Sequence, residues 1–268
     1  MIQVNLFVLA FFLFLTVPGT AKIYAQSSYN QYLSSYDSYR EAFSQFRIAK
    51  NEYDKFQTLT SRQDAVLKAT NFLVARDRLL ISYLNYLSEK LNQSPSMTQT
   101  ERQTYLTLIG NELTFLNSHV TLSEAVSSVN DALDVSDQLE SHYAVLQVTV
   151  RQSIIAMTLS ELEKYAEEIE SLSNQINSFS VSNRNQFLSN TAALADRWQL
   201  SVSNKLRLFR QKTAQIKQKA IALEADSPKE LEANTALITR SLGEAKADLT
   251  EAVSYLSELL DVLKYKRS

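Results

Sequence analysis

The chain has 268 residues, 45% of them hydrophobic, with a formal net charge of −2 and no cysteine. A near-neutral balance gives no long-range pull towards nucleic acid, and the lack of Cys excludes disulfides, thiolate nucleophiles and Cys-ligated zinc. Only 3 Gly and 3 Pro occur, which removes the usual means of making tight turns, bulges and phosphate-cradling loops. Long helices with short connections are therefore predicted, an all-α chain.

The N-terminus carries an unbroken apolar run from Leu6 to Val17, closed by Pro18-Gly19. Its length suits the apolar core of a secretory signal and falls short of the roughly 20 residues that span a bilayer. Cleavage is placed after Ala25, with Ala21 as second choice, so residues 1–25 read as a signal peptide and 26–268 as the mature protein. No Lys or Arg precedes the run, which keeps two alternatives open: an uncleaved N-terminal anchor, or a buried N-terminal helix. Membrane contact is expected only through this segment.

From about Ser27 to Gln57 the aromatic residues Tyr29, Tyr32, Tyr36, Tyr39, Phe43, Phe46 and Tyr53 recur every three, four or seven positions, with Lys50 in one slot. That spacing is a heptad seam. It reads first as a core face whose tyrosine hydroxyls reach the rim. The sharper reading makes Tyr29, Tyr32, Tyr36, Tyr39 and Tyr53 an interaction strip for carbohydrate or a protein partner. A turn at residues 58–61 follows, with Thr60 or Ser61 as cap of a second helix that runs to about Leu91. Its inward residues are Val66, Leu73, Leu80, Leu84, Leu87 and Leu91.

Beyond a loop at residues 92–96, Thr98 and Glu101 form a capping box that starts a third helix, predicted over about Gln99 to Ser118. A second box, Thr121 with Glu124, is read as the start of another helical piece, and a break near Asp134 to Ser136 is left open. A long helix then continues to about Ile176. Within it, Tyr143 to Leu159 is the most apolar mature stretch, read as the most buried helix because Arg151 interrupts it. A polar turn at residues 178–185 precedes a helix from Arg184 or Asn185 to Ala222. Ser227-Pro228-Lys229-Glu230 opens the last one, in which Leu231, Ile238, Leu242, Ala245, Leu249, Ala252, Leu256, Leu259 and Leu263 keep heptad register through Gly243. Gly243 is read as tolerated or close-packing. The expected fold is an elongated antiparallel helical bundle of six or seven helices with coiled-coil-like packing, either continuous or divided into sub-bundles 26–94 and 95–268.

Charge is segregated. Residues 121–177 hold ten acids against Arg151 and Lys164, whereas residues 178–223 hold eight bases against Asp196 alone. Lys205, Lys212 and Lys219 fall in one helical row, Arg210 and Lys217 in another, with an apolar stripe between. This arrangement suits an antiparallel hairpin with flanking cross-helix ion pairs.

Catalytic patterns are scarce. His119 and His142 sit in neither His-x-x-x-His nor Glu-x-x-His, so the di-metal bundle pattern fails. Asp131, Asp134, Gln138 and His142 share one helix face and read as solvated. Trp198 reads as an inter-helix anchor. No phosphate loop or nucleophile elbow is present, and no cofactor or metal is expected. The predicted role is an exported, non-catalytic structural, scaffold or interaction protein of the bacterial cell envelope, secreted or surface-associated, with a protein partner or self-association and no nucleic acid. Two other readings are a cell-wall polymer binder using the aromatic strip and a membrane-active, pore-forming type using Tyr143 to Leu159.

Overall fold

The computed structural model describes residues 25–224 and 227–265; the apolar run Leu6–Val17, on which the signal-peptide reading rests, lies outside them. Among the described residues there are six α-helices, one 3-10 turn at Arg184–Gln186 and no strand. The helices are α1 (Ala25–Phe56), α2 (Leu59–Gln93), α3 (Gln99–Glu124), α4 (Val129–Ser182), α5 (Ser189–Ile221) and α6 (Pro228–Tyr265). Consecutive helices run antiparallel. Tyr29 meets Tyr86 while Phe46 meets Phe72 across α1 and α2, and Trp198 meets Tyr255 while Lys205 meets Asp248 across α5 and α6.

The ends of the elements follow local chemistry. Thr58 caps α2, its hydroxyl accepting from the Ser61 amide while the Ser61 hydroxyl accepts from the Thr58 amide. The cap thus lies two or three residues before the expected Thr60 or Ser61, because Gln57 takes a left-handed conformation (φ 51°) and ends α1 abruptly. The Thr98–Glu101 box caps α3 as expected. Pro228 is the first residue of α6, where its missing N–H costs nothing.

Two boundaries differ from the sequence reading. The Thr121–Glu124 box starts nothing, because α3 continues through it to Glu124. Ser123 is fully buried and donates to Asp77 of α2 at 2.8 Å, a tertiary bond that holds this turn in α3. The break falls at residues 125–128, not at 134–136, and Ser128 caps α4 by accepting from the Asp131 amide. The polar turn after α4 comes later than expected: α4 runs past Ile176 to Ser182, and α5 begins at Ser189.

The core divides along α4. Its N-terminal half packs Val135, Leu139 and Leu146 against α2 and α3, with Leu84, Leu87, Leu91, Ile109 and Leu116 among the partners. These residues draw both sides of the 92–98 loop into one core cluster. Its C-terminal half packs Ile155, Leu159, Leu162, Ala166, Ile169 and Ile176 against α5 and α6. α1 lies chiefly on α2. At 54 residues, α4 is about 80 Å long and belongs to both cores.

Gly243 lies inside α6, and a Cβ there would meet nothing within 4 Å, so it is tolerated and not close-packing. Gly243→Ala is expected to stabilise the protein by about 0.5–1 kcal/mol, since Ala loses less conformational freedom than Gly in a helix. Urea denaturation of the variant checks this; a loss of stability would contradict the open surroundings of the site.

Candidate functional site

The seam tyrosines of α1 are distributed between packing and solvent. Tyr29, Tyr32, Tyr83 and Tyr86 cluster where the start of α1 meets the end of α2, with ring centroids 5.5–6.4 Å apart. Burial raises the Tyr83 phenol, and it also raises Tyr32 and Tyr86. Tyr29 keeps 40% of its surface exposed. Tyr39 packs with Phe43 on Phe72, Tyr36 carries Arg40 over its ring, and Tyr53 is half-buried. The five tyrosines have different surroundings: Tyr29 and Tyr32 belong to an aromatic cluster at one end, Tyr36 lies under Arg40, Tyr39 belongs to the α1–α2 interface, and Tyr53 lies towards the opposite end of α1.

Sequence reasoning missed two carboxylate–histidine pairs between α2, α3 and α4. Asp77, with 0% exposure, accepts at Oδ2 from Ser123 and lies 2.7 Å from His119 Nδ1. His119 Nε2 is 2.9 Å from the Val135 carbonyl, which can only accept, so that nitrogen carries a proton. A further proton must lie between Nδ1 and Oδ2, because an unprotonated nitrogen and a carboxylate would otherwise face each other at hydrogen-bond distance. Arg76 approaches the other Asp77 oxygen at 3.5 Å and donates to Ser136; burial lowers its guanidinium affinity for the proton and Asp77 partly restores it. The second pair is His142 Nε2 with Glu112 at 2.8 Å, the Glu buried and the His partly exposed. Phe115 stacks on both histidines, at 3.7 Å from His142 and 5.8 Å from His119.

On the exposed side of His142, an open depression is lined by Phe115, Asp134, Asp137, Gln138, Ser141 and His142. The face read as solvated is solvated at Asp134 and Gln138, while His142 turns inward to Glu112. Chemically, Glu112 can orient His142 and the imidazole can exchange a proton with solvent. No group of three or more His, Asp or Glu among the described residues is arranged to hold a metal ion.

A third polar cluster joins the cores. Lys217 of α5 bonds Glu101 of α3 and Glu163 of α4, each at 2.9 Å. Burial works to raise the Glu101 carboxyl, but hydrogen bonds from Lys217 and Thr98 outweigh it and hold the group below its ordinary range. Burial works to lower Lys217, and the two carboxylates outweigh it in turn. The expected basic rows are both used, but by different partners: Arg210 and Lys217 face Glu170 and Glu163 of α4, whereas Lys205 and Lys212 face Asp248 of α6. Trp198 stacks on Tyr255 and so anchors α5 to α6.

No protein-family model matches the chain, and no curated protein or solved structure gives a significant match.

Asp77→Ala is expected to cost about 3–5 kcal/mol in urea denaturation, because it strands the buried His119 and the partly buried Arg76; a change under about 1 kcal/mol would show the network to be slack. The folded Glu101 binds its proton more weakly than the unfolded one, so its contribution is full above the ordinary carboxylate range and fades as pH falls through the lower folded value. Lys217 contributes fully below the ordinary lysine value and fades as pH rises through its raised one. Lys217→Met is therefore expected to flatten the acid limb of stability between about pH 5 and 2 by up to about 1 kcal/mol, these groups being partly exposed. An unchanged acid limb would contradict the linkage.

Proposed function

We propose that the protein is an exported, non-catalytic helical rod that serves at the bacterial cell envelope as a scaffold or interaction module. The observation that carries this reading is α4, a single 54-residue helix built into both hydrophobic cores. A helix shared in this way fixes the distance and angle between the two ends of the molecule, which is the property a spacer or docking frame needs. Export rests on the leader run Leu6 to Val17 and on a fold that uses no cysteine.

A second reading has one observation in its favour. Tyr29 stands partly exposed beside Tyr32 and Tyr86 at the end of α1, where a sugar ring has an aromatic surface to stack on. Such a site binds a cell-wall polymer through one end of the rod and not along its length. The membrane-active reading draws no support from Tyr143 to Leu159. That segment packs inward, Arg151 within it donates to Thr235 and to the Leu231 carbonyl, and no helix among the described residues is long and apolar enough to cross a membrane.

Expression in a bacterial host followed by fractionation and N-terminal sequencing tests the export reading. Material outside the cytoplasm, beginning at Gln26, is the expected result. Protein found solely in the cytoplasm with Met1 and its leader intact would contradict it.

A further inference from the structure

The three-helix core of α4, α5 and α6 is unequally covered. On α4, Glu163 and Glu170 flank the buried stripe on the side of α5, fixed there by Lys217 and Arg210. Helical spacing puts Tyr165, Leu172 and Phe179, seven residues apart, on the opposite flank, towards α6. On α6, Asp248 and Tyr255 face α5 through Lys205 and Trp198, which puts Val253 and Leu260 on the flank towards α4. α4 and α6 run parallel, tied where Arg151 bonds Thr235, so Leu172 and Phe179 come near the height of Val253 and Leu260. The five side chains are each 41–52% exposed, though large and apolar. They make an outer groove about 20 Å long, α4 rising 1.5 Å per residue.

The borders of this groove carry unlike charges. Glu161 and Glu168 edge it on α4, with Glu168 paired to Lys164 one turn before it, and Lys246 edges it on α6. Glu161 and Lys246 have no ion-pair partner among the described residues, whereas Lys205, Arg210, Lys212 and Lys217 of α5 are paired within the bundle. A twofold axis parallel to the helices would set α4 of one molecule across from α6 of another at the same height. That operation apposes the apolar strips and brings each acidic border against a basic one, whereas a partner of single-sign charge would match one border and repel at the other.

From this self-complementary pattern we infer that the α4–α6 groove is covered by a second copy of the chain, in a parallel twofold dimer with Glu161 of each copy against Lys246 of the other. The inference goes beyond the scaffold reading and does not rest on export. Sedimentation equilibrium on the recovered protein, with helicity checked by circular dichroism, tests it. The expected results are a dimer, conversion to monomer by Leu172→Glu with Leu260→Glu at unchanged helicity, and at least about tenfold weaker association for Glu161→Lys or Lys246→Glu alone. Combining the two exchanges is expected to restore association, which a merely misfolded variant would not do. A monomer at all concentrations up to about 0.1 mM, a dimer indifferent to the leucine changes, or charge exchanges without mutual rescue would each overturn the inference.

Discussion

Everything in this molecule is arranged around the handover within α4. Between Thr149 and Ser160 the helix passes from the core it shares with α2 and α3 to the core it shares with α5 and α6, and it uses opposite faces for the two. Leu146, Val150 and Ile154 pack one way, Ile155 and Leu159 the other. A helix enclosed from both sides has no polar face to offer, which is why Tyr143 to Leu159 is the most apolar stretch outside the N-terminal run Leu6–Val17. The same feature in isolation resembles a membrane segment. Here its polar groups meet backbone at the helix ends: Gln152 donates to the carbonyls of Ala220 and Ile221 in the last turn of α5.

Polar contacts fix the register of the rods, while apolar burial supplies the bulk of the stabilisation. The buried Asp77–His119–Ser123 network sits where α2, α3 and α4 meet, and Lys217 with Glu101 and Glu163 sits where the cores join. Sliding α3 by one turn would keep leucines against leucines but leave Asp77 and His119 buried without partners, at a cost of several kcal/mol. Apolar side chains tolerate such a slip; these groups do not.

Periodicity made most of the fold legible from residues alone. The Thr98–Glu101 box and Pro228 at the first position of α6 act as their chemistry suggests, and aromatic residues of α1 pack on α2. The break between α3 and α4 was not legible, because Thr121-x-x-Glu124 and Ser128-x-x-Asp131 are locally comparable starts and only the bond from Ser123 to Asp77 decides between them. The histidine pairs were hidden for a related reason: Asp77 and His119 are 42 positions apart. A signal did exist in α3, where the buried residues Ile109, Glu112, Leu116, His119 and Ser123 are spaced three, four, three and four. Polar residues occupied slots of a seam, and counting apolar residues alone passes over them. The charge segregation pointed to an α4–α5 pair, and such pairs form, but Lys205 and Lys212 turn to Asp248 because α6 packs along the full length of α5.

Native-state hydrogen exchange across α4 addresses the shared helix most directly. If residues 149–160 are closed in by both cores, their amides should exchange last, only through unfolding of the whole chain, and both cores should be lost in one transition. Early exchange in this stretch, or separate melting of the two cores on either side of it, would contradict the account.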